Sequence, residues 1–354
     1  MGISVAFRLA QAGTEVTVLE AGRLGGGTSS VSFAWLNANN KPPFAYHQLN
    51  VSGMGEYFRL RDELGAVPWL HIDGNVEWDG SDGGAERLRD KVNRLRDWGY
   101  QVELLPISEL RYLEPDLVAP PELEEFAFYP TEGYLDTVAC IASLAGTARG
   151  YGATIREHCR VTGIIQHGDR VVGVETSTGE NLFADTVVSC VGHCTGDITR
   201  MVGVPLPMAP TVGLVAISAP TAVRLRSVHH DDKMNIRPDG AGRIMMRHYD
   251  FDEMVSEDTP VDPIPSFLDS LLERVVKVVP GLAGTHIESV RIGVRPIPAD
   301  GLSAIGPLVP GLYVIASHSA VTLGALFGRL AAQEILTGEV DPRLADFRPT
   351  RLVQ

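Results

Sequence analysis

Residues 2–20 read GISVAFRLAQAGTEVTVLE, and this stretch decides the fold that the sequence predicts. Residues 2–9 have the apolar spacing of a helix, and Gly13 is placed to end it because glycine readily adopts the left-handed backbone of a helix end. Residues 15–19 then form a short apolar strand that ends at the acid Glu20. A glycine, a helix, a buried strand and a terminal acid in this order predict the second half of a βαβ dinucleotide-binding unit.

Each part of this unit has a chemical role. Gly2 can only be the third glycine of the Gly-x-Gly-x-x-Gly signature, so the first strand and the first two glycines are expected to precede Met1. The helix start offers unpaired N–H groups to a pyrophosphate, and Glu20 accepts hydrogen bonds from ribose hydroxyls. Two explanations stay open: a start upstream of Met1, or a truncation that binds its cofactor poorly. An ordinary αβ hairpin with a surface glutamate is the competing interpretation of this fragment alone.

Size and composition exclude several classes of function. The 354 residues suffice for two compact domains, and 44% hydrophobic with 21% charged residues is typical of a globular protein. The formal net charge of −14 argues against a nucleic-acid or anionic membrane partner. Because the sequence shows neither a membrane-spanning apolar run nor a signal peptide, it predicts a cytoplasmic protein.

The four cysteines do not predict a metal site or a disulfide framework. Cys190, His193 and Cys194 are close together, which is one feature of a metal site. However, Cys190 ends an apolar run that looks like a core strand, and no second pair with zinc-ligand spacing occurs. We therefore predict no metal.

The remaining pattern predicts two interleaved domains. A glycine and hydroxyl run, AGRLGGGTSS at 21–30, can approach phosphate oxygens closely. Helices are predicted at 44–64, 85–98, 135–149, 263–279 and 323–336; an antiparallel meander at 160–183; strands of a larger antiparallel sheet at 204–217, 233–237, 242–249 and 287–295; and buried strands at 186–191 and 312–316. The helix–strand alternation breaks twice, so a second domain is predicted to be inserted twice into a nucleotide-binding one.

Several motifs along the chain occur in one order: Gly2 to Glu20, GGGTS at 25–29, LEP at 113–115, GYLD at 133–136, VTGI at 161–164, ADTVV at 184–188, Arg295-Pro296 with Asp300-Gly301, IGP at 305–307, PGLY at 310–313, and residues 318–328. In this order they resemble the FAD-dependent D-amino-acid oxidase superfamily, with its glycine oxidases, sarcosine oxidases and amino-acid dehydrogenases. The resemblance covers essentially the whole chain. It implies an α/β fold, with a Rossmann-like FAD-binding domain at 1–40, 132–203 and 289–354 and an inserted antiparallel-sheet substrate domain at 41–131 and 204–288.

The resemblance also implies a set of cofactor contacts. Glu20 would bind the adenosine ribose, Val161 the adenine, and the start of the last helix the flavin pyrimidine edge. No cysteine follows Cys194, where sarcosine oxidases carry one that bonds to the flavin, so non-covalent FAD is expected. The implied FAD residues are Gly2, Glu20, Ala21, Thr28, Ser29, Phe33, Ala34, Trp35, Val161, Gly192, His318, Ser319, Ala320, Val321, Thr322, Leu323 and Gly324.

For the substrate, the resemblance points first to Arg295, which would bind a carboxylate through its guanidinium fork. A structural arginine paired with Asp300 or with a backbone carbonyl is the alternative. Catalysis in this family is mainly positioning of the substrate C–H over flavin N5, so no strong general base is expected. Further candidates for facing the pocket are Tyr46, His47, Met246, His248 and Tyr249, of which His47, His248 and Tyr249 are taken with Arg295 as the catalytic set.

The function implied is oxidation of the C–N bond of an amino acid or related secondary amine by hydride transfer to the flavin. The electron acceptor would be dioxygen or a quinone, and an electron-acceptor partner and a homo-oligomer both stay open. A non-catalytic or cofactor-poor protein that acts as a subunit is the alternative, supported only by the incomplete signature. A flavin-dependent modifier of tRNA or of a natural product is a third interpretation, and the net charge speaks against a nucleic-acid substrate.

Overall fold

The computed structural model describes residues 1–65 and 67–353. The helices are Gly2–Gln11 (α1), Phe44–Leu64 (α2), Gly84–Asp97 (α3), Leu110–Leu113 (α4), Thr137–Gly150 (α5), Thr195–Arg200 (α6), Tyr249–Asp252 (α7), Asp269–Val278 (α8) and Ala320–Thr337 (α9). Short 3-10 turns occupy Thr28–Val31, Ile107–Glu109, Gly192–Cys194, Ser266–Leu268, Pro280–Leu282, Pro342–Phe347 and Pro349–Leu352. None of the helices in this described part is long and apolar enough to cross a membrane.

The strands are Thr17–Leu19 (β1), Trp35–Leu36 (β2), Leu70–His71 (β3), Asn75–Glu77 (β4), Glu103–Pro106 (β5), Glu125–Tyr129 (β6), Gly133–Leu135 (β7), Thr154–Arg156 (β8), Val161–His167 (β9), Arg170–Thr176 (β10), Asn181–Phe183 (β11), Val187–Ser189 (β12), Thr211–Ser218 (β13), Val228–His230 (β14), Met234–Pro238 (β15), Ile244–His248 (β16), Ile287–Arg295 (β17), Ala304–Val309 (β18) and Leu312–Ala316 (β19). They form one large sheet of eight strands and several small ones.

Several small sheets contact helices α1, α5 and α9. Strand β1 pairs in parallel with β8, and β12 pairs in parallel with β19, whose other edge carries β18 antiparallel. Strands β9, β10 and β11 form the predicted meander. Strands β2, β7 and β3 make a separate antiparallel sheet.

Helices α1, α2, α5 and α9 pack closely in this region because a glycine lies at two of the points where these helices cross. A Cβ on Gly328 of α9 would lie 2.7 Å from the side chain of Ser4 in α1. A Cβ on Gly53 of α2 would lie 2.5 Å from the carbonyl oxygen of Thr322 in α9. The backbones of these helices therefore approach more closely than a larger residue would allow.

The eight-stranded sheet, ordered β17-β13-β16-β15-β14-β4-β6-β5, has two chemically different faces. Directly opposed residues on neighbouring strands share a face. On one face Leu214, Ala216, Ile236 and Met246 belong to an apolar core that also includes residues of α8. The other face is polar and carries Arg295, Gly293, Arg291, Gly213, Val215, Ile217, Arg247, Met245, Asn235, Arg237, His230, Asn75 and Glu77, as the strand registers require.

The predicted α/β class with a large sheet is confirmed, but this sheet is antiparallel except for the parallel pair of β14 and β4. The other differences have local causes. The strand predicted from 204 begins only at Thr211, since Pro205, Pro207 and Pro210 lack the N–H that a ladder needs. The helix predicted from 263 begins at Asp269, after a 3-10 turn. Strands β14 and β18 were not predicted.

The division into two domains stays a proposal. Helix α2 packs on α9, next to the nucleotide-binding elements, although it was assigned to the substrate domain. Strand β17 lies at the edge of the eight-stranded sheet, although most of it was assigned to the FAD-binding domain. We therefore propose that the interface between the domains runs along the polar face of this sheet.

Candidate functional site

Residues 28–36 run along the polar face of the eight-stranded sheet. Thr28 Oγ1 donates to the carbonyl of Val294 over 2.9 Å, and Arg237 Nε donates to the carbonyl of Phe33 over 2.6 Å. The Trp35 ring lies 4.5 Å from the His230 ring, between centroids. This segment, which the resemblance assigns to the flavin, is therefore clamped to the sheet at both ends.

The start of α9 is held next to the same segment. Thr322 Oγ1 lies 3.3 Å from the backbone amide nitrogen of Asn37 and 3.3 Å from its carbonyl oxygen. Tyr46 OH donates to Ser319 Oγ over 2.9 Å, and Ser317 Oγ accepts from the Ser319 amide over 3.0 Å. The first turn of α9 has no side-chain cap, so its N–H groups are available to an anion.

The residues at the other end fit a dinucleotide. Glu20 Oε1 accepts from the Gly22 amide over 2.8 Å, which fixes the carboxylate at the end of β1 and leaves its second oxygen for a ribose hydroxyl. Within residues 1–65 and 67–353, the buried Trp35 Nε1 and Asn37 Oδ1 have no hydrogen-bond partner. The uncapped start of α9, the strand-end acid Glu20 and the unpaired polar atoms of Trp35 and Asn37 are donors and acceptors of the kind that FAD requires.

Arg295 lies at the end of β17 and shares a carboxylate with Arg247. The Nη2 atoms of Arg295 and Arg247 each lie 2.7 Å from Oδ2 of Asp252. Asp252 Oδ1 accepts from the Leu214 amide over 2.8 Å, so the carboxylate is fixed to β13. Burial and the charge of Arg247 lower the pKa of Arg295, an effect that Asp252 opposes. Two guanidinium groups thus face one carboxylate.

The guanidinium of Arg295 also depends on a glycine beneath it. A Cβ on Gly213 would overlap the guanidinium, so only glycine leaves room for it there. Arg295 Nη1 donates to the Val212 carbonyl over 2.8 Å and to Thr211 Oγ1 over 3.2 Å. Of the two alternative pairings, the one with Asp300 does not occur, because Asp300 binds Arg351 over 2.8 Å. The one with a backbone carbonyl does occur, at Val212.

His318 is close enough to Lys41 and to this arginine pair for their charges to act on it. The His318 imidazole is accessible to solvent, yet protein surrounds it enough that burial lowers its pKa to about 4, with further lowering by the charges of Lys41, Arg295 and Arg247. Lys41 is half-buried, and burial lowers its pKa to about 8 against the opposing charge of Glu132. At neutral pH the imidazole is therefore uncharged and the ammonium is charged.

A buried carboxylate holds the segment that carries Lys41. Glu132 is fully buried and accepts from the amides of Ala38 and Asn39 over 3.0 and 2.9 Å, and from Tyr100 OH over 2.6 Å. Burial raises its pKa, although these hydrogen bonds oppose the effect. Glu132 directly precedes the GYLD motif but was not singled out by sequence, since a lone buried acid has no recognisable signature.

The structure contradicts the expectation that Met246 and His248 face the pocket. Met246 is in the apolar core on the opposite face of the sheet. His248 alternates with Arg247 and so shares that opposite face, where its Nε2 lies 3.0 Å from Arg274 Nη1 and its Nδ1 accepts from the Asp250 amide. Met245 and Arg247 occupy the polar face instead.

The other predicted substrate residues differ in their placement. The His47 ring is buried against Trp98 and Tyr100, and its Nδ1 lies 2.8 Å from the Ala38 carbonyl, which is the environment of a packing residue. Tyr46 supports α9 through its hydrogen bond to Ser319. Tyr249 lies under Arg247, whose guanidinium carbon is 4.7 Å from the centroid of the Tyr249 ring. Tyr249 is therefore next to the cluster of Arg247, Asp252 and Arg295.

Besides Glu132, three residues of this site were missed by sequence: Lys41, Arg247 and Asp252. Arg247 could have been found, because the alternation of β16 places it opposite Met246. Lys41 and Asp252 lie in irregular or very short elements with no periodic signal.

Comparisons with known proteins agree with this architecture. Residues 1–334 match the family model described as FAD dependent oxidoreductase. The chain is 27% identical over 324 residues to a glycine oxidase of Pseudomonas putida, covering 88% of this chain and 84% of that protein. It is 28% identical over 369 residues to a glycine oxidase of Pseudomonas aeruginosa, covering 97% and 94%. The crystal structure of glycine oxidase from Geobacillus kaustophilus superimposes with a TM-score of 0.87 at 24% identity, covering 100% and 96%.

Proposed function

This chain belongs to the FAD-dependent oxidoreductase family, and on that premise we propose that it oxidises the C–N bond of an amino acid or of a related secondary amine. FAD, when bound, supplies the acceptor for the hydride removed from the substrate carbon. The observation that carries the proposal is the Arg295–Asp252–Arg247 cluster on the polar face of the sheet. It offers a planar cation for a substrate carboxylate beside the segment assigned to the flavin.

Arg295 would bind the carboxylate and so orient the substrate. Its fork can take a carboxylate bidentately, and the half-buried setting strengthens the attraction relative to water. Asp252 would remain the counter-ion of Arg247, so that the buried charges stay balanced. Gly213 and Gly293 keep the sheet surface flat next to Arg295 and Val31.

The amine end of the substrate would lie next to uncharged side chains. His318 is uncharged at neutral pH because its pKa is about 4, so it does not repel a substrate ammonium and can exchange a proton through hydrogen bonding. Tyr249 lies beside the arginines and can donate from its hydroxyl. Positioning rather than a strong base accounts for the rate in this proposal.

We further propose that FAD is held without a covalent bond. The four cysteines are Cys140, Cys159, Cys190 and Cys194. Burial raises the pKa of Cys140 to about 12 and that of Cys190 to about 11, so neither thiol is a ready nucleophile.

The test is an absorption spectrum followed by anaerobic addition of amino acids and secondary amines. We expect an oxidised-flavin spectrum that bleaches on addition of a substrate, and full release of the flavin by acid precipitation. Peroxide production in air would assign dioxygen as the acceptor; reduction of an added quinone without peroxide would assign a quinone. A colourless protein that gains no flavin spectrum from added FAD would overturn the proposal in favour of a non-catalytic protein.

A further inference from the structure

Six side chains form a closed circuit of polar contacts beside residues 35–39. They come from β4, α3, β14, the turn before β7 and the connection after β2, and they are Asn39, Asn75, Glu77, Lys91, Glu132 and His230. Glu132 Oε2 accepts from Asn75 Nδ2 over 3.0 Å and from Asn39 Nδ2 over 2.7 Å. Lys91 Nζ donates to Asn39 Oδ1 over 3.1 Å and to Glu77 Oε1 over 2.8 Å. The proposed reaction uses none of these side chains.

His230 closes this polar circuit between Asn75 and Glu77. Its Nδ1 lies 3.0 Å from Asn75 Oδ1. Because Asn75 Nδ2 donates to Glu132, Oδ1 must be the acceptor, and Nδ1 therefore carries the imidazole hydrogen. Nε2 lies 3.1 Å from Glu77 Oε1, and burial lowers the pKa of His230 against the opposing charge of Glu77. At neutral pH His230 is thus an uncharged member of the circuit that donates from Nδ1.

The indole of Trp35 lies against the imidazole of His230. The ring centroids are 4.5 Å apart, and the rings are tilted by 52°. In the part of the chain that the structure describes, Trp35 Nε1 has no hydrogen-bond partner, so hydrogen bonding does not fix the indole. The preceding Ala34 has a φ of +60°, which costs energy for a residue with a Cβ and persists only where the surroundings hold the backbone. The contact with His230 therefore joins the polar circuit to a backbone that is held in place.

Residues 35–39 are held at both ends by the polar circuit and in the middle by α9. His230 contacts Trp35 at one end, and Glu132 and Lys91 bind Asn39 at the other. Between them, Asn37 pairs through its backbone with Thr322 in the first turn of α9. A displacement of His230 would therefore reach the uncapped start of α9 through only three residues.

We infer that His230 is a positioning residue for the cofactor site, because it passes the geometry of the polar circuit through Trp35 to the start of α9. This inference rests on the proposed function for the place of the flavin. The neighbouring His229 provides a contrast. Its ring centroid lies 4.0 Å from that of Trp78, but Trp78 belongs to the apolar core on the other face of the sheet. Two adjacent histidines thus contact a tryptophan in the same way, and only one of them belongs to the circuit.

The first experiment measures the affinity for FAD in two variants that each remove one contact. His230→Phe keeps a ring against Trp35 but leaves Asn75 Oδ1 without its donor, whereas His230→Asn supplies a donor near the place of Nδ1 but removes the ring. Titration of FAD into the FAD-free protein should show that each variant weakens binding about tenfold, with a shifted visible spectrum of the bound flavin. Because the transmission needs both contacts, a folded variant of either kind that binds FAD like the parent would overturn the inference.

Two controls separate positioning from a general loss of stability. His229→Phe changes the neighbouring histidine and should leave the affinity for FAD unchanged. Leu271→Ala opens a cavity in the apolar core at α8 and should lower the Tm without changing the flavin spectrum. His230→Asn is the milder of the two His230 variants and serves alone if His230→Phe does not fold. If Leu271→Ala weakened FAD binding as much as the His230 variants at an equal loss of Tm, instability would explain the effect and the inference would fail.

A double variant tests whether His230 acts through Trp35. If it does, His230→Phe should weaken FAD binding little further when Trp35→Phe is already present. Additive effects of the two substitutions would show that His230 acts by another route and would overturn the inference.

A measurement without FAD or substrate separates this inference from the proposed function. The chain has four tryptophans, and Trp35→Phe identifies the indole N–H resonance of Trp35 in an NMR spectrum. Both His230 variants should shift this resonance, whereas His229→Phe should shift that of Trp78. An unchanged Trp35 resonance in the His230 variants would overturn the inference whatever the activity. If the resonance shifts and FAD binds less tightly, but no amine bleaches the flavin of the parent, only the proposed function is overturned.

Discussion

Arg295 donates from Nη2 to Oδ2 of Asp252 over 2.7 Å, although 43 residues separate them in the sequence. The same oxygen accepts from Arg247, so one carboxylate compensates two guanidinium groups. The two guanidinium groups carry one positive charge more than Asp252 neutralises. A substrate carboxylate that binds Arg295 would therefore complete the balance of charge. This relationship is the basis for the first two predictions.

Arg295→Lys should weaken carboxylate binding without unfolding the protein. An ammonium keeps the charge but loses the planar fork, so we expect the KM for the substrate to rise about 10- to 100-fold. The rise in KM is measured by steady-state kinetics or by the substrate concentration that half-bleaches the flavin. Arg243→Ala is the matched control, because Arg243 pairs with Glu288 near the edge of the same sheet. Equal effects of both variants would contradict the assigned role of Arg295.

Asp252→Asn should destabilise the protein in a way that small carboxylates reverse. With the counter-ion gone, Arg247 and Arg295 repel each other, and we expect a loss of about 1–3 kcal/mol in the free energy of unfolding. Added acetate should then raise the Tm of the variant more than that of the parent, since an anion binds the folded state. Asp250→Asn, at an exposed acid paired with Arg274, should not gain this response.

Gly53→Ala should disturb the start of α9, whereas Gly55→Ala should not. A Cβ at Gly53 would lie 2.5 Å from the Thr322 carbonyl, while one at Gly55 has nothing within 4 Å. We expect Gly53→Ala to lower stability by about 1–3 kcal/mol. Gly55→Ala should raise stability by about 0.5–1 kcal/mol, because alanine favours a helix. The stability of both variants is measured by urea unfolding and by the temperature at which the flavin is released. If Gly53→Ala did not lower stability, α2 and α9 would be able to move apart freely.

His318 should make the folded state sensitive to acid. Its pKa is lowered from the ordinary value of 6.5 to about 4, so the unfolded chain takes up this proton first as the pH falls. The stability associated with the neutral imidazole is therefore complete above pH 6.5 and is lost as the pH falls through 4. His318→Gln should lose less stability than the parent over this interval, measured by urea unfolding as a function of pH. His167→Gln, at an exposed histidine of β9, should follow the parent.

Glu132→Gln should weaken the segment that carries Lys41. Glu132 accepts from Tyr100, Asn39 and Asn75 side chains and from two backbone amides, so an NH2 group in place of one oxygen would face donors. We expect a loss of roughly 2–4 kcal/mol in the free energy of unfolding. Glu125→Gln removes only a surface pair with Arg89 and should change stability by less than about 1 kcal/mol. A neutral result at Glu132 would mean that these hydrogen bonds contribute little to stability.

Local elements were predicted well where the chain carries its own start and stop signals. Helix α2 begins after Pro43 and ends at Gly65, whose φ is +78°, as its pattern indicated. Helix α5 begins after Asp136, which caps it by accepting from the Ala139 amide over 3.0 Å. Strand β14 was missed, because Val228–His230 is only three residues long and has little pattern of its own; one of its partners, β4, is distant in sequence.

The sequence by itself was enough to identify the family to which this protein belongs and to predict the end of the molecule that binds the cofactor. The order of Gly2, Glu20 and the 21–30 loop is local, and each part acts through its own backbone or strand end. Only the tertiary structure decided the substrate end. The alternation of β16 places Arg247 and His248 on opposite faces of the sheet. Which of the two lies on the polar face depends on the apolar core, which packs against the other face. Likewise Arg247 and Arg295 meet at Asp252 because β13 pairs with both β16 and β17, and long-range pairing of this kind leaves no mark on the local sequence.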